Sequence, residues 1–571
     1  MISKLSLLLL YKKKLIFISI LLIFLTLIDF VSIGSIPFMI GLMVDENFIG
    51  TEILINLFDL DQFNIFQKKE YFIFFILFIL LAFLLKFFLI ILFHYSNEKL
   101  QFEIKENILS KLFKLYFVQN YISFSKRGSA KIIRNLSIEA SNSAIYFSNI
   151  ILLIKELVII FLFLSYLFYI NIKISLISFL IIVLIIFLLY FFFNRRVKLF
   201  GKSFVFAKEK LINNVKDNYN SFKEIKIYDL EKVILLDFKK ITKKINKIAF
   251  KINIYKNLPR AYLELFIIFI ILLIFYQFSD TKENFISYIP TLSFLAMVVA
   301  RLIPSFSVIS SVFINLKFYE QSLNHIIFEL NDLNENKESF SETIDNKESN
   351  NFILDEIDYK IKFENVNFSY SKDKNLFTNF NQLIVKGDKL LISGLSGSGK
   401  TTLVNLFIGF IKNYDGKITV NNKDIKNNIN VWRKNISYCP QQTILIDDTL
   451  IKNITFEDQS ENINHDLLND VYEIVDIHSL INDLPQGEQT ILGEFGHQLS
   501  GGQKQRIGIA RALYKNRNIL ILDEATNALD ENNEKKIINK VLSYYKKKTV
   551  IAITHNVYLE KFFNKTIDLK T

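Results

Sequence analysis

The stretch GLSGSGKTT, residues 394–402, decides the fold of the second half of the chain. It follows the strand-like run KLLIS and precedes the helical pattern LVNLFIGFI. A glycine-rich loop between a strand and a helix turns backbone N–H groups toward a phosphate, and the helix N-terminus favours the anion. The stretch therefore predicts a P-loop, in which Lys400 adds positive charge and Thr401 offers a hydroxyl to Mg²⁺. Its other predicted phosphate-binding members are Gly394, Gly397, Ser398, Gly399 and Thr402.

Two further motifs lie downstream of this loop. RNILILDEATNALD, residues 517–530, is a buried-strand run that ends in Asp523 and Glu524. Asp523 is suited to hold Mg²⁺ through water, and Glu524 to polarise the attacking water. A carboxylate pair after a strand also occurs as a helix cap, but its position downstream of a P-loop favours the catalytic interpretation. Between the two motifs, LSGGQ at 499–503 begins a helix and predicts a second phosphate-facing group of backbone amides.

With these motifs, residues 360–560 resemble the nucleotide-binding domain of ABC transporters, and LSGGQ is close to diagnostic of that family. The resemblance implies that Tyr370 stacks on adenine, that Gln441 senses Mg²⁺, and that His555 contacts the γ-phosphate. It further implies that Asp530 lies in the loop between two ATPase domains. In the family the signature residues complete the ATP site of a partner domain; here these are Ser500, Gly501, Gly502 and Gln503. One copy of the motif set per chain therefore implies a homodimer.

The first half of the chain is apolar. Of the whole sequence, 51% is hydrophobic, and long apolar runs fill much of the first 320 residues. A bilayer span needs about 20 apolar residues. Six stretches meet this requirement, at about 15–44, 71–95, 148–170, 173–193, 259–279 and 286–316.

Charge sets the orientation of these predicted spans. Lys12, Lys13 and Lys14 precede the first span, and the segments 96–147 and 194–257 are basic. The positive-inside rule then places both termini in the cytoplasm. It also accounts for the net charge of +12, so nucleic acid is not an expected partner. The two basic segments read as long helical hairpins that extend the spans into the cytoplasm.

These observations predict the fold class and the domain limits. The expected architecture is a membrane all-α six-helix exporter domain with long intracellular helices, followed by an α/β P-loop ATPase domain of ABC type. It resembles the half-transporter ABC exporters, with Glu494 in a loop similar to their X-loop. The expected domains are a transmembrane domain at 1–330, a polar linker at 331–358 and the nucleotide-binding domain at 359–571. The outer loop at 50–62 reads either as a short membrane-surface helix or as an ordinary loop helix.

Ionisable residues inside predicted spans are candidates for substrate contact, because insertion of a charge costs about 2.5–3.5 kcal/mol. Lys86, Arg260 and Arg301 lie in spans two, five and six. One interpretation is a shared site for an anion that carries a hydrocarbon tail. The alternative is that each has a separate structural role, with Lys86 reaching toward the membrane surface and Arg260 doing the same or pairing with Glu264.

A narrower resemblance bears on the substrate. Residues 27–43 and 300–321 are similar to the first and last spans of bacterial lipid-linked oligosaccharide flippases and related polysaccharide exporters. The resemblance implies an ATP- and Mg²⁺-dependent flippase in the cytoplasmic membrane of a bacterium, acting on a polyprenyl-diphosphate oligosaccharide. The alternatives are an exporter of a lipid A-like lipid or of drugs and, in another class, an ATP-gated channel or regulatory ABC subunit.

Overall fold

The computed structural model describes residues 8–44, 68–170, 172–278, 289–335, 358–371, 374–458, 460–493, 496 and 498–569. The chain forms two compact units. The first comprises Met1–Gln119 and Ser123–Glu338, and the second comprises Asn120–Ile122 and Ser339–Thr571. The outer-loop segment 50–62 and Glu494 lie outside the described residues.

Long helices make up the amino-terminal half. They are α1 (Lys12–Val44), α2 (Lys68–Val118), α3 (Tyr121–Ser125), α4 (Ser129–Arg134), α5 (Ala140–Ile170), α6 (Ile172–Asn220), α7 (Phe222–Ile227), α8 (Glu231–Phe278) and α9 (Ile289–Glu335). A π-helical segment, Asn135–Glu139, joins α4 to α5. The long helices α2 and α5, and likewise α6 and α8, are joined through short helices, as the predicted hairpins require.

Helix α2 is longer than a membrane is thick. Its 51 residues at about 1.5 Å each span about 75 Å, whereas the hydrocarbon layer is about 30 Å thick. Within this helix the sequence changes from the apolar LLKFFLIILF, residues 84–93, to the charged NEKLQFEIKEN, residues 97–107. The helix therefore continues well beyond its apolar part, as predicted for the first hairpin.

Three stretches of helix among the described residues are long and apolar enough to cross a membrane: Lys12–Ile36, Ile76–Val118 and Ser129–Ser165. They include most of the first three predicted spans. The predicted spans at 173–193, 259–279 and 286–316 fall largely on α6, α8 and α9. Most side chains in those three spans, including that of Arg260, lie outside the described ones.

Helix α9 ends later than the predicted domain boundary. It runs five residues into the stretch predicted as linker, and the rest of that stretch, 336–357, lies outside the described residues. The reason is packing, because Leu330 and Leu333 are completely buried in the core of the first unit. That core also contains Leu25 of α1, Phe93 of α2 and Phe147 of α5.

Two sheets make up the second unit. Its strands are β1 (Lys360–Ser371), β2 (Lys374–Val385), β3 (Lys389–Gly394), β4 (Asp415–Val420), β5 (Lys423–Asp424), β6 (Ile436–Cys439), β7 (Ile519–Asp523), β8 (Thr549–Ile553) and β9 (Lys565–Leu569). An antiparallel sheet has the order β2-β1-β4-β5, and a parallel sheet has the order β6-β7-β8-β3-β9. Every residue of β7 and β8 is buried, which agrees with the apolar runs ILIL and VIAI within them.

Helices follow the strands as α10 (Lys400–Ile408), α11 (Ile429–Arg433), α12 (Leu450–Thr455), α13 (His465–Val475), α14 (His478–Asp483), α15 (Gly501–Tyr514) and α16 (Glu531–Tyr544). The parallel strands β3, β7 and β8 are neighbours, with Ile392 opposite Ile553 and Asp523 also opposite Ile553. The loops after their carboxyl ends therefore meet at one edge, which is where open α/β sheets bind ligands. All the predicted catalytic motifs except the signature lie in loops at this edge.

Candidate functional site

The P-loop turns tightly between β3 and α10. Gly394, Gly397 and Gly399 have φ values of 146°, 84° and 98°, a region that L-residues with a Cβ rarely occupy. A Cβ on Gly394 would also lie 2.7 Å from the carbonyl oxygen of Leu569. Lys400 Nζ donates hydrogen bonds to the carbonyl oxygens of Gly394 and Leu395, at 2.9 and 3.0 Å. The ammonium group of Lys400 is thus fixed against the loop, where it is predicted to help bind phosphate.

Polar atoms around the loop are suited to phosphate. Burial lowers the pKa of Lys400, while Glu524 and Asp523 raise it. The Ser398 hydroxyl is buried and has no hydrogen-bond partner among the described residues. Such a hydroxyl is costly to leave unpaired, so an oxygen-rich ligand in the loop would satisfy it.

Tyr370 lies at the rim of the same loop. Its hydroxyl is 3.2 Å from Thr402 Oγ1, and its ring meets that of Phe368 edge-on at 4.9 Å. The side chain is 67% exposed, which leaves the ring accessible. That geometry is compatible with the predicted stacking on a base.

Asp523 is buried at the end of β7. The Tyr438 hydroxyl donates to its Oδ2 at 3.0 Å, whereas Oδ1 is buried without a hydrogen-bond partner in the described part of the chain. Burial raises the pKa of this carboxyl group. A buried carboxylate oxygen without a partner is a suitable hard ligand for Mg²⁺, so the residue fits the predicted metal role.

Glu524 is held from three sides. Gln441 Nε2 and Asn527 Nδ2 donate to its Oε2 at 2.8 and 2.9 Å, and His555 Nε2 is 3.0 Å from its Oε1. The backbone of Glu524 has φ 48°, an uncommon conformation that often accompanies functional sites. The structure thus brings together Glu524, Gln441 and His555, to which the sequence analysis assigned separate roles at the ATP site. It adds Asn527, which sequence reasoning missed although it lies within the quoted motif.

The signature residues begin helix α15. Ser500 is its N-cap: the Ser500 hydroxyl accepts from the Gln503 backbone N–H at 3.2 Å, and the Gln503 side chain accepts from the Ser500 N–H at 2.8 Å. A Cβ on Gly502 would lie 3.2 Å from the carbonyl oxygen of Ala528. Glycine therefore permits the close approach of the helix start to the loop that follows Glu524.

The side chain of Gln505 ties the signature helix to the catalytic loop. Its Oε1 accepts from the Ala528 N–H at 2.8 Å, and its Nε2 donates to the Glu524 carbonyl at 3.4 Å. No hydrogen bond or ion pair joins Ser500–Gln503 to the P-loop within the residues that the structure describes. Ser500 and Gly501 at the start of the signature helix are exposed.

Asp530 caps the next helix, α16. Its two carboxylate oxygens accept from the backbone N–H and the side-chain amide of Asn533, at 3.2 and 2.6 Å. These hydrogen bonds lower the pKa of Asp530. The residue thus has a local capping contact, while its predicted place between two ATPase domains stays a prediction.

The first unit brings two of the three candidate substrate residues together. Lys86 Nζ lies 2.6 Å from Asp29 Oδ1, and Arg301 Nε donates to Asp29 Oδ2 at 2.7 Å. Arg301 also donates to the Ser305 hydroxyl at 3.1 Å. The two predicted cations are therefore neighbours, and both are paired with a carboxylate that the sequence analysis had not singled out.

A second carboxylate adjoins this group. Glu156 Oε2 is 4.0 Å from Arg301 Nη2, and Glu156 Oε1 is 3.4 Å from Lys155 Nζ. Asp29 and Glu156 are buried, at 2% and 3% exposure. We call Asp29, Lys86, Lys155, Glu156 and Arg301 the intramembrane charge cluster. The sequence signal for its new members was available, because each is an ionisable residue within a predicted span.

Comparison with known protein families finds a match in each half of the chain. The family pattern described as ABC transporter transmembrane region matches residues 15–302, half of the chain, and the pattern described as ABC transporter matches residues 377–527. Both agree with the order of domains predicted from the motifs.

Several curated proteins are similar over part of their length. The ATP-dependent lipid A-core flippase of Saccharophagus degradans is 40% identical over 199 residues, which cover 35% of this chain and 34% of that protein. The alpha-hemolysin translocation ATP-binding protein HlyB of Escherichia coli O157:H7 is 40% identical over 223 residues, covering 39% and 31%. The mitochondrial iron-sulfur clusters transporter ATM1 of Candida albicans is 38% identical over 203 residues, covering 35% and 26%. The chain thus matches about a third of the length of these relatives.

A solved structure supports the fold over nearly the whole chain. A bacterial Atm1-family ABC exporter with ATP bound superimposes with a TM-score of 0.74 and 19% identity, covering 98% of this chain and 94% of that one. The predicted fold class, a helical membrane exporter domain followed by an ABC-type ATPase domain, is confirmed. The chain belongs to the ABC transporter family and joins the transmembrane region of that family to its ATPase domain.

Proposed function

We propose that the chain is an ATP-driven flippase for a lipid-linked anionic substrate, a polyprenyl-diphosphate oligosaccharide. It acts as a homodimer in the cytoplasmic membrane of a bacterium, with both termini and the ATPase domain on the cytoplasmic side. The observation that supports an anionic substrate is that Lys86 and Arg301 lie close together, on one carboxylate, in the apolar part of the first unit. Arg260 belongs to the same proposed site through its position in the sequence.

The ATPase domain supplies the energy. Glu524 polarises the water that attacks the γ-phosphate, and Gln441 and His555 orient the Glu524 carboxylate through the contacts described above. Lys400 and the P-loop amides bind the phosphates, and the accessible ring of Tyr370 stacks on adenine. Thr401, Gln441 and Asp523 would hold Mg²⁺, which when bound neutralises charge on the phosphates.

A second copy of the chain completes this ATP site. Ser500 and its neighbours present a capped helix start, and a helix N-terminus favours a phosphate. No described hydrogen bond or ion pair joins this exposed surface to the P-loop of its own chain, and it meets the P-loop of a partner, with Asp530 in the loop beside it. ATP then bridges two chains, and its binding and hydrolysis alternately close and release them.

The charge cluster supports an anionic substrate rather than an uncharged one. A lone cation in the hydrocarbon layer is costly, and three cations with two carboxylates leave a positive balance in the described cluster. Phosphate and diphosphate groups accept hydrogen bonds from arginine and lysine in water-poor sites. The name of the Saccharophagus relative, a lipid A-core flippase, also favours a lipid substrate.

The experiment is ATPase stimulation in proteoliposomes. The purified protein is assayed with a polyprenyl-diphosphate oligosaccharide, with a lipid A-like lipid and with uncharged drugs. We expect the polyprenyl-diphosphate lipid to stimulate hydrolysis several-fold, and Arg301→Ala to abolish that stimulation. Stimulation by uncharged drugs alone, unaffected by Arg301→Ala, would instead support a multidrug exporter. Ion conductance across a planar bilayer without lipid transfer would support a channel.

A further inference from the structure

We propose that Asp29 is a built-in counter-ion that occupies Lys86 and Arg301 until an anionic head group of the substrate takes its place. This inference rests on the proposed function, because it assigns regulation to the same site. It gives Asp29 a role in affinity and release that neither the sequence motifs nor the family comparisons assign. Asp29 is a positioning residue here, since it acts through the two cations.

The geometry of the pairing carries the first step. Asp29 uses one oxygen for each cation, Oδ1 toward Lys86 at 2.6 Å and Oδ2 toward Arg301 at 2.7 Å. The carboxylate on α1 thus bridges α2 and α9. A phosphate group also presents several oxygens to more than one cation, so Asp29 occupies the positions that such a group would use.

The two cations are more exposed than the carboxylate that pairs with them. The side chains of Lys86 and Arg301 are 20% and 19% exposed, whereas that of Asp29 is 3% exposed. Both cations therefore keep an accessible part, whereas the carboxylate between them is almost fully buried. An incoming anion can thus contact Lys86 and Arg301 and then compete with Asp29 for them.

The charge balance fits a doubly charged ligand. In one chain the cluster has three cations, Lys86, Lys155 and Arg301, and two carboxylates, Asp29 and Glu156. Three positive minus two negative charges leave +1 per chain, and two chains give +2. A diphosphate diester carries two ionised phosphate groups, which matches the net charge of the described cluster in two chains; Arg260, whose side chain lies outside the described ones, is not in that sum.

Arg301 has a second acidic neighbour. Its Nη2 lies 4.0 Å from Glu156 Oε2, the limit of an ion pair, and that oxygen is buried without a hydrogen-bond partner among the described residues. Because a buried carboxylate oxygen gains from a partner, Arg301 can turn toward Glu156 when a substrate displaces Asp29 from it. The return of Asp29 then helps to expel the head group, so the carboxylate lowers affinity and speeds release.

The test compares Asp29→Asn with the unaltered protein, as full-length dimers in proteoliposomes. The probe is a polyprenyl diphosphate, with the uncharged polyprenol as reference. We expect the half-stimulating concentration of the diphosphate to fall about fivefold or more, the size of a typical coupling between sites, while the maximal ATPase rate falls. Thr26→Val, a buried substitution one turn earlier on α1, should leave both quantities unchanged.

A second pair of variants keeps the test decisive if Asp29→Asn does not fold. Lys86→Gln removes one cation, and adding Asp29→Asn to it restores the net charge of the cluster. The double variant should respond to about fivefold less polyprenyl diphosphate than Lys86→Gln alone. If Asp29→Asn had the same half-stimulating concentration as the unaltered protein, and the double variant the same as Lys86→Gln, the role of Asp29 would be overturned. The proposed flippase function would not be affected by that result. No response of the unaltered protein to any anionic polyprenyl lipid would instead overturn the proposed function.

Discussion

At the scale of single residues, the site is built around the Glu524 carboxylate. Three side chains from three loops hold it: Gln441 after β6, Asn527 after β7 and His555 after β8. Geometry of this kind matters because small displacements of a reacting group are costly in rate. The sequence analysis proposed Gln441 and His555 but missed Asn527, and the structure shows that all three contact one carboxylate.

Replacing Glu524 with glutamine tests its assigned role. The amide keeps the size of the side chain but cannot accept a proton from the attacking water. Since such catalysis contributes about 10²–10⁴-fold, kcat for ATP hydrolysis should fall by at least about 10²-fold. Nucleotide binding, measured by fluorescence titration with an ATP analogue, should persist. A variant that hydrolyses ATP at more than a third of the normal rate would contradict the assignment.

Asn527 provides a milder test at the same group. Asn527→Ala removes one of the donors to Glu524 Oε2, and a hydrogen bond to a charged group is worth about 1.5–3 kcal/mol. We expect kcat to fall about tenfold or more with little change in KM. The matched control is Asn462→Ala at an exposed position, which should be neutral. A normal kcat in Asn527→Ala would mean that Gln441 and His555 suffice.

At the scale of elements, the approach of helix α15 to the loop after β6 depends on Gly508. A Cβ at this position would overlap the Thr443 hydroxyl, two residues after Gln441. We expect Gly508→Ala to destabilise the ATPase domain by about 1–3 kcal/mol, the usual cost of overpacking. The measurement is the thermal unfolding temperature of the full-length protein.

Thr443→Ala removes the hydroxyl that the new methyl group would meet. Added to Gly508→Ala, it should restore part of the lost stability. Equal unfolding temperatures for Gly508→Ala and the unaltered protein would show that the loop moves aside freely.

Helix α9 also contributes a half-buried histidine to the first unit. His325 Nε2 is 2.6 Å from Arg134 Nη2 and 3.1 Å from Asn135 Oδ1. Burial lowers its pKa from 6.5 to about 4; the charges of Arg134 and Lys131 also lower it, and that of Glu329 raises it. The folded protein therefore holds this ring neutral where the unfolded chain would bind a proton.

This shift predicts a pH dependence of stability. The stabilisation by neutral His325 is present above pH 6.5 and is lost as the pH falls toward 4, by up to about 3 kcal/mol. His325→Gln should therefore reduce the drop in unfolding temperature between pH 7 and pH 4.5. His465→Gln, at an exposed position on α13, is the control. An unchanged drop in His325→Gln would assign the acid sensitivity to other groups.

The contrast between the two units shows what a sequence can predict here. The ATP-site residues could be proposed from the sequence because each motif keeps its residues in contiguous order, and every motif except the signature follows the carboxyl end of a strand. The pairing of Asp29 with Lys86 and Arg301 was not, because it depends on how α1, α2 and α9 rotate about their axes. Helix α9 continues five residues into the predicted linker, since the charged residues near Leu333 hid the fact that this leucine is in the core.

At the scale of the whole molecule, a charge cluster in the membrane part and an ATP site in the other unit belong to one chain. Neither the cluster nor the ATP site alone would account for transport. In the proposed function, the cluster binds an anionic lipid and the ATPase domain supplies the free energy to move it. The proposed function therefore requires that ATP hydrolysis be coupled to lipid movement.

The most direct measurement of that coupling is lipid transfer in sealed proteoliposomes with outward-facing ATPase domains. A polyprenyl-diphosphate oligosaccharide is placed in the outer leaflet. After ATP is added, the fraction of this lipid that a membrane-impermeant sugar-modifying enzyme can still modify is measured over time. The account predicts ATP-dependent protection of the lipid by the unaltered protein and none by Glu524→Gln. Equal protection with and without ATP, or none while ATP is hydrolysed, would contradict it.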